Sequence, residues 1–206
     1  MIRGRLTVLR AIEREDLDDL WRWANDDAVM HYWAEPYSVV SREELASRYD
    51  SGLGGPTGRA HWLLITTHDG EAIGRIGYVE LDRRNRHAEI ALQIGEPAYW
   101  GRGYGSDALL AFLGYLFHQL NLHKVWLRVE AFNARAQRAY EKCGFRRDGV
   151  FREHTYLGGR YYDAIIMAIT EEEFRAAHPF AMPDDGAGSR ETANGGDRDE
   201  GGEERA

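Results

Sequence analysis

Apolar residues recur at spacings of three and four between residues 103 and 119, which predicts one long helix with a single buried face. That face is made of Ala108, Leu109, Phe112, Leu113, Leu116 and Phe117. A second helix is predicted between Asn133 and Gly144, because asparagine is a favoured N-cap and glycine a favoured helix stop. Both helices fall in the second half of the chain.

Alternation of apolar and polar residues predicts the strands that accompany these helices. The alternating segments are 5–10, 61–67, 72–81, 87–95, 123–129, 147–155 and 160–169, the last two joined at the hairpin signal Gly158-Gly159. Helical spacing predicts a helix over 13–24, and the capping box that starts at Ser41 predicts a short one ending near Asp50. Residues 51–58 are predicted to be a loop. The fold class is therefore α/β, with a central mixed sheet and helices on both faces.

Composition limits the chain to one sizeable core, since it has 206 residues of which 43% are hydrophobic. The lone Cys143 excludes an internal disulfide, and its place on the second helix indicates buried packing. No apolar run approaches the ~18 residues of a membrane span. The first residues also lack the apolar core of a signal peptide. We expect a cytoplasmic protein with no membrane partner and no metal site.

Much of the net charge of −8 lies at the C-terminus. Residues 184–206 carry a net charge of −5, which leaves −3 for residues 1–183. This segment is rich in Gly and has no large apolar residue, so we expect a folded domain over 1–178 and a disordered acidic tail over 179–206. The mild acidity of the folded part does not support nucleic-acid binding.

The segment 99–108 places three alternating glycines directly before the long helix. Gly101, Gly103 and Gly105 allow positive φ and a close approach to main-chain N–H groups. The first turn of a helix offers unpaired N–H groups and a partial positive charge, and Arg102 adds a fixed cation. The segment therefore predicts a binding site for a phosphorylated ligand.

Residues 133–145 follow with the pattern N-x-x-A-x-x-x-Y-x-K-x-G-F. The order strand, Gly-rich loop, helix, strand and this pattern resembles the GNAT superfamily of acyl-CoA-dependent N-acetyltransferases, over residues 3 to about 175. The segments 9–17, 29–33 and 35–37 are similar to the branch that holds ribosomal-protein N-terminal acetyltransferases and spermidine acetyltransferases. At the position where the loop of the superfamily commonly has Gln or Arg, this chain has Trp100.

The resemblance implies acetyl-CoA as co-substrate, bound where a mostly antiparallel sheet splays open. The implied cofactor-binding residues are Leu92, Gln93, Ile94, Trp100, Gly101, Arg102, Gly103, Tyr104, Gly105, Ser106, Asn133, Arg135 and Tyr140. The main chain of the strand before the loop is expected to pair with the pantetheine arm. Tyr140 aligns with the tyrosine that faces the coenzyme A sulfur, and its hydroxyl is a proton donor at physiological pH.

Acyl transfer also needs a group that attracts and deprotonates the amine. Glu89 is one candidate, because strand periodicity places it with Ala91 and Gln93 on one face. It is either a base or amine anchor in the acceptor cleft, or an exposed strand residue. Glu35 is the other candidate, in a loop that in the spermidine enzymes helps to form the acceptor site. Glu80 is a third acid, for which a surface role is the simpler interpretation.

Two other interpretations compete with the transferase. Gly103-x-Gly105-x-x-Ala108 matches a dinucleotide-binding fingerprint, with Glu130 at the end of the next strand. Residues 96–100 intervene between strand and fingerprint, which argues against it. A non-catalytic acyl-CoA-binding sensor of the same fold is the second alternative, and Tyr140 argues against that one.

The function expected is acetyl transfer from acetyl-CoA to a primary amine by direct attack, without a covalent enzyme intermediate. The acceptors left open are a protein N-terminus, a polyamine, or a small amine such as an aminoglycoside. Another acyl donor also remains open. The six tryptophans and eleven tyrosines are compatible with a homo-oligomer.

Overall fold

The computed structural model describes residues 1–33, 39–53 and 60–179, and in these the strands form a single eight-stranded sheet. The strands are β1 (Ile2–Arg3), β2 (Thr7–Ala11), β3 (His61–Thr67), β4 (Ala72–Asp82), β5 (His87–Ile94), β6 (Lys124–Glu130), β7 (Arg146–Leu157) and β8 (Arg160–Thr170). Their order in the sheet is β1-β2-β3-β4-β5-β6-β8-β7. Only β5 and β6 pair in parallel within this part of the chain. The predicted mixed, mostly antiparallel sheet is confirmed.

Helices cover both faces of the sheet. They are α1 (Leu17–Ala24), α2 (Asp27–Met30), α3 (Arg42–Arg48), α4 (Tyr104–His118), α5 (Ala134–Lys142) and α6 (Glu171–Ala177). Short 3-10 turns at Arg14–Asp16 and Pro97–Tyr99 and a wide helical turn at Tyr49–Leu53 complete the described elements. The boundaries predicted for α4 and α5 agree with the structure to within a residue or two at each end, because periodicity and glycine stops both act locally.

The core divides into two clusters on opposite faces of the sheet. The larger packs α4, α5 and α6 against β4, β5, β6 and β8, with Phe112, Leu113 and Leu116 of α4 almost fully buried. The smaller packs α1 and α3 against β3, and Trp23 is its largest buried side chain. The predicted apolar face of α4 is the centre of the larger cluster, so burial of this face holds the helix on the sheet.

Several boundaries differ from the sequence prediction. The helix expected from residue 13 begins as a 3-10 turn, since the Asp16 carboxylate accepts hydrogen bonds from the Glu13 amide and the Arg10 guanidinium. Strand β1 and helices α2 and α6 were not predicted, although Thr170 and Glu173 form a capping box that indicates α6. The loop expected from residue 51 starts later, because Tyr49–Leu53 is helical. The last hairpin is longer than predicted, because strand β7 resumes beyond an irregularity near Glu153.

The remaining parts of that loop, residues 54–59, lie outside the described residues, as does the predicted tail beyond residue 179. The disordered tail therefore stays a prediction. Cys143 is buried as expected, and burial raises the pKa of its thiol to about 11.

Candidate active site

Strands β5 and β6 run together for only three residues and then separate. Their pairing covers His87–Glu89 against Lys124–Trp126. Beyond it β5 continues to Ile94 on the side of β4, and β6 continues to Glu130 on the side of β8. Main-chain N–H and C=O groups that lack a ladder partner need another one. The slot between the two strands, which is the expected splay, can accept an extended ligand with amide groups of its own.

The Gly-rich loop adopts the backbone conformation that the glycines predicted. Gly101 has φ +72° and Gly103 has φ +90°, both in the left-handed region that side chains avoid. A Cβ on Gly101 would find no atom within 4 Å, and one on Gly103 would meet only a Leu6 methyl at 3.8 Å. The space beside these residues is open, so a ligand can approach the main chain directly.

Helix α4 begins directly after this loop, and no side chain caps its N-terminus at Gly103. The first amides of a helix have no partner within the helix, and together they carry a partial positive charge. Arg102 is exposed beside them, with a bond of 3.3 Å from its guanidinium to the Ala98 carbonyl. The loop and helix start therefore fit a diphosphate, the group that sequence reasoning placed here.

The start of α4 lies over the end of β5, so loop and slot form one continuous groove. A Cβ on Gly105 would lie 3.5 Å from Ile94 Cγ1 and 3.6 Å from Leu92 Cδ2. The side chains of Leu92 and Ile94 thus pack under the helix, as expected, and leave their main chain for other partners. On the far side of the first turn, the Ser106 carbonyl faces the Cys143 thiol at 3.8 Å, and Tyr104 meets the Tyr99 ring edge-on.

Asp107, in the first turn of α4, is a residue that sequence reasoning missed. Its carboxylate accepts hydrogen bonds from the amides of Arg5, Leu6 and Thr7 at 2.9 to 3.0 Å, and from the Thr7 hydroxyl at 2.7 Å. A Cβ on Gly4 would lie 2.2 Å from the same carboxylate. Asp107 therefore fastens the turn between β1 and β2 to the start of the helix. The only sequence signal was an acid in a helix first turn.

The Trp100 side chain connects the loop before α4 to the end of β5 and to α5. Its indole N–H donates to the Ile94 carbonyl at 2.8 Å, at the end of β5. The Arg135 guanidinium lies 4.0 Å from the centre of the Trp100 ring and 4.6 Å from that of Tyr32. Such stacking joins the loop before α4 to the first turn of α5. The expected carbonyl contact from Ile94 to the cofactor thus already has one internal donor.

Asn133 and Tyr140 lie on α5 beside the slot. Asn133 is buried and caps the helix by accepting from the Ala136 amide at 3.1 Å, as predicted. Tyr140 is 9% exposed, and its hydroxyl makes no hydrogen bond within the described part of the chain. Burial, with a smaller contribution from Cys143, raises the pKa of Tyr140 to about 12. The phenol is therefore protonated at neutral pH and able to donate.

The side chains of β6 separate the two faces of the site. Val125, Leu127 and Val129 point into the larger core with Tyr140. Arg128 and Glu130 alternate with them and so lie on the opposite face. A ligand in the slot can meet Tyr140 from one face and the polar side chains of β5 and β6 from the other.

Glu89 lies on this second face at the point where the strands part. It is 7% exposed, which overturns the alternative of an exposed strand residue. The Arg128 Nε donates to Glu89 Oε1 at 2.7 Å, and another nitrogen of the same guanidinium lies 3.5 Å from His154 Nε2. The charge of Glu89 is thus balanced by a cation that the sequence did not connect with it.

Gln93 has a side chain committed to the same face. Its Oε1 accepts from Arg75 Nε at 2.9 Å, and its amide nitrogen lies 3.9 Å from the Met30 sulfur. The Arg75 guanidinium lies 4.9 Å from the centre of the Trp33 ring and 5.0 Å from that of Trp62. Only the main chain of Gln93 is therefore left for a ligand in the groove. The face of the sheet that carries Glu89, Gln93, Arg128 and Glu130, called the acceptor face below, holds cations as well as acids.

Aromatic rings connect the two sides of the slot on this face. His31 lies 5.3 Å from Phe132, which lies 4.8 Å from Tyr162 on β8, all between ring centres. His31 also contacts Tyr32, the ring beside Trp100. Glu35 lies outside the described residues, so the structure does not place this candidate.

The described residues offer neither a metal cluster nor a membrane-spanning helix. No three His, Cys, Asp or Glu side chains come together there as metal ligands, and none of the described helices is long and apolar enough to cross a membrane.

Comparison with known proteins shows the family to which the chain belongs. Residues 5–146 match the acetyltransferase (GNAT) domain. Spermidine N(1)-acetyltransferase of Escherichia coli K12 is 34% identical over 171 residues, 82% of this chain and 89% of that one. The Vibrio cholerae enzyme of the same name is 32% identical over 168 residues, 81% of this chain and 94% of that one. The structure of spermidine N-acetyltransferase from Vibrio cholerae in complex with CoA and spermine superimposes with a TM-score of 0.76, at 30% identity, covering 82% of this chain and 98% of that one.

The family match and the two relatives identify the chain as an acyltransferase that uses acetyl-CoA. The chain belongs to the GNAT acetyltransferase family, and it is an acetyl-CoA-dependent N-acetyltransferase that acts on a primary amine. The dinucleotide-binding alternative is wrong, because the loop follows a meander of antiparallel strands and a 3-10 turn separates it from β5.

Proposed function

We propose that the acceptor is a polyamine of the spermidine class. Two relatives named spermidine N(1)-acetyltransferase support this proposal, since they match most of the chain at 34% and 32% identity. The chain also resembles a spermidine N-acetyltransferase structure in complex with CoA and spermine. Carboxylates and aromatic rings line the acceptor face beside the slot, and both attract ammonium groups.

The cofactor is assigned to the groove. The open main chain of Gly101 to Ser106 receives the diphosphate, and the free edge of β5 at Leu92 to Ile94 pairs with the pantetheine arm. The cap of Asn133 and the stack of Arg135 on Trp100 hold the start of α5 beside it. These roles use mainly backbone groups, so they tolerate the Trp100 departure from the superfamily pattern.

The transfer step needs one proton donor and one acceptor. The amine nitrogen attacks the thioester carbon, a C–N bond forms, and the C–S bond breaks with its electron pair on sulfur. Tyr140 gives its hydroxyl proton to that sulfur, since its pKa of about 12 keeps it protonated until the thiolate appears. Glu89 is buried where β5 and β6 separate, and it accepts the proton of the amine through water. Arg128 orients the Glu89 carboxylate. Glu35 is retained as a second acceptor-side acid.

The observation that carries this proposal is the separation of β5 and β6 between Tyr140 on one face and Glu89 on the other. The test is thiol release from acetyl-CoA with spermidine, short peptides with free N-termini, and aminoglycosides. Release with spermidine at a kcat/KM well above that of the other amines supports a polyamine acceptor. A preference for peptides or aminoglycosides contradicts it.

A further inference from the structure

One carboxylate oxygen on the acceptor face has no partner. Glu130 Oε2 is buried and makes no hydrogen bond, and no cation among the described residues lies within ion-pair distance of it. A buried carboxylate oxygen without a donor is unfavourable. Such a group either destabilises the folded state or serves as the acceptor for a hydrogen-bond donor on a bound ligand.

Its position in the sheet distinguishes these possibilities. Glu130 is the last residue of β6, at the open end of the slot, with Ala164 opposite it on β8. Strand alternation places its side chain on the acceptor face with Arg128, away from the core that holds Tyr140. The oxygen therefore lies on the face from which the amine approaches, and not on the side of the cofactor.

Arg128, the neighbouring cation on β6, is already paired with Glu89. Arg128 bonds Glu89 at 2.7 Å and lies beside His154, so it does not neutralise Glu130. Phe132 follows Glu130 by two residues and meets the ring of Tyr162, two residues from Ala164 on β8. A carboxylate with spare acceptor capacity and aromatic rings at the same end of the slot match the needs of an alkylammonium group, which has N–H donors and a positive charge.

We propose that Glu130 is a specificity residue that holds an ammonium group of the acceptor. The inference rests on the proposed transfer to an amine and deepens it, since a polyamine has one ammonium to spare for Glu130 while another nitrogen reacts. A monoamine of similar length lacks the second group. The enzyme should therefore favour 1,4-diaminobutane and spermidine over butylamine, and the preference should depend on Glu130.

The test measures KM and kcat of the full chain with acetyl-CoA and these three amines, and with a short peptide. Glu130→Gln keeps the shape and removes the charge, Glu130→Asp keeps the charge and shortens the side chain, and Glu172→Gln on the exposed start of α6 is the matched control. We expect Glu130→Gln to raise KM for spermidine by about 10-fold to 100-fold, the range of a lost charge-assisted hydrogen bond. Its KM for acetyl-CoA and its kcat should stay within about threefold of wild type.

The conservative variant separates charge from packing. Glu130→Asp should fall between wild type and Glu130→Gln in KM, whereas a purely structural role would make the shortened side chain the worse of the two. An unchanged KM in Glu130→Gln overturns the inference while the polyamine function stands. A fall in kcat at constant KM also overturns it, because that result makes Glu130 a base and not an anchor.

The two proposals fail in different ways. If wild type acetylates the peptide and not spermidine, both proposals fail, because the reacting N-terminal amine leaves no second ammonium for Glu130. If wild type acetylates spermidine and Glu130→Gln leaves the KM for spermidine unchanged, only the role of Glu130 fails. Silence of wild type toward every amine in the panel contradicts both proposals.

Discussion

The cofactor groove and the acceptor face lie on either side of the same pair of strands, yet they are built differently. The groove consists mainly of main-chain groups from one continuous segment, residues 92–106, with positive-φ glycines and an uncapped helix start. The acceptor face consists of side chains from β3, β4, β5, β6 and the end of α2, most of them held by a partner distant in sequence. A site built from main-chain groups keeps the same hydrogen-bonding groups when a side chain is replaced. A site built from side chains changes its hydrogen bonds and charges with each substitution.

This difference predicts that the specificity for the amine depends on the side chains of the acceptor face. Replacing a residue such as Arg102 leaves the amides of the loop in place, so cofactor use depends little on any single side chain there. On the acceptor face, Arg128 and Arg75 decide which acids and amides are left for the substrate. We therefore expect variants of the two regions to separate cleanly into effects on acetyl-CoA and effects on the amine.

Tyr140→Phe should produce the largest effect, because it removes the proposed proton donor, which lies between the two regions. We expect kcat to fall by about 10²-fold to 10⁴-fold, the usual contribution of a general acid, while the Kd for CoA changes little. Thiol release and calorimetry measure the two quantities. Tyr115→Phe, on α4, is the matched control.

The pH dependence sharpens this prediction. Since the pKa of Tyr140 is raised to about 12, its proton is retained between pH 7 and 10, and the ratio of wild-type to Tyr140→Phe activity should stay constant there. A ratio that falls toward pH 10 contradicts the assignment. Burial penalises the ionised phenolate, so the fold loses stability as the pH rises from about 10, the ordinary tyrosine pKa, to about 12.

Gly103→Val should cause the next largest effect, confined to the cofactor side. A β-branched side chain at φ +90° is strained, and its methyl groups occupy the space through which a phosphate reaches the amides. We expect CoA binding to weaken by at least about 10-fold in calorimetry, because the methyl groups block the approach of the phosphate to the amides.

Gly70→Val separates strain from ligand contact. Gly70 has φ +92° and open space for a side chain, but it lies in the turn between β3 and β4, away from the groove. Equal losses of CoA affinity in both variants would show that strain alone weakens binding. The pyrophosphate-loop assignment would then be wrong.

Asp107→Ala tests whether the groove depends on the N-terminal turn. Three amides lose their acceptor, so the free energy of unfolding should fall by about 2 to 3 kcal/mol in urea titration. The KM for acetyl-CoA should rise by a few-fold because α4 loses its anchor, and the KM for the amine should not change. Glu172→Ala, an exposed acid in the first turn of α6, controls for the helix dipole. Equal stability losses in both variants would contradict the anchor.

Trp100→Phe should have the smallest effect. It removes the hydrogen bond to the Ile94 carbonyl and keeps an aromatic ring for Arg135. We expect the Kd for CoA to rise by about 2-fold to 10-fold, from a net hydrogen bond of about 0.5 to 1.5 kcal/mol. A rise in the KM of the amine without a change for CoA would move Trp100 to the acceptor region and weaken the comparison.

Sequence reasoning found most of the fold and the conformation of the glycine loop. The periodicity of α4, the cap at Asn133 and the positive φ of Gly103 all depend on interactions within a few residues, so they can be predicted from neighbours along the chain. The predictions failed where a distant partner intervened. Asp16 turned the start of the first helix into a 3-10 turn, and Asp107 bound a segment about 100 residues away.

The acceptor face shows the same limit more strongly. Glu89 was identified as an acid on the correct face, but its pairing with Arg128 could not be predicted from a separation of 39 residues. Glu130 was noticed only as part of a rejected dinucleotide motif. Its significance comes from an oxygen without a partner, which no pattern of residues reveals.

The sequence by itself therefore determined the order of elements, the family, the conformation of the glycine loop and the tyrosine on α5. These follow from short-range sterics, hydrophobic periodicity and helix-end chemistry. Tertiary structure decided which charges on the acceptor face neutralise each other and which is left unpaired. That outcome depends on the register of β5 against β6 and of β6 against β8, which brings residues far apart in sequence within hydrogen-bond distance or keeps them out of reach.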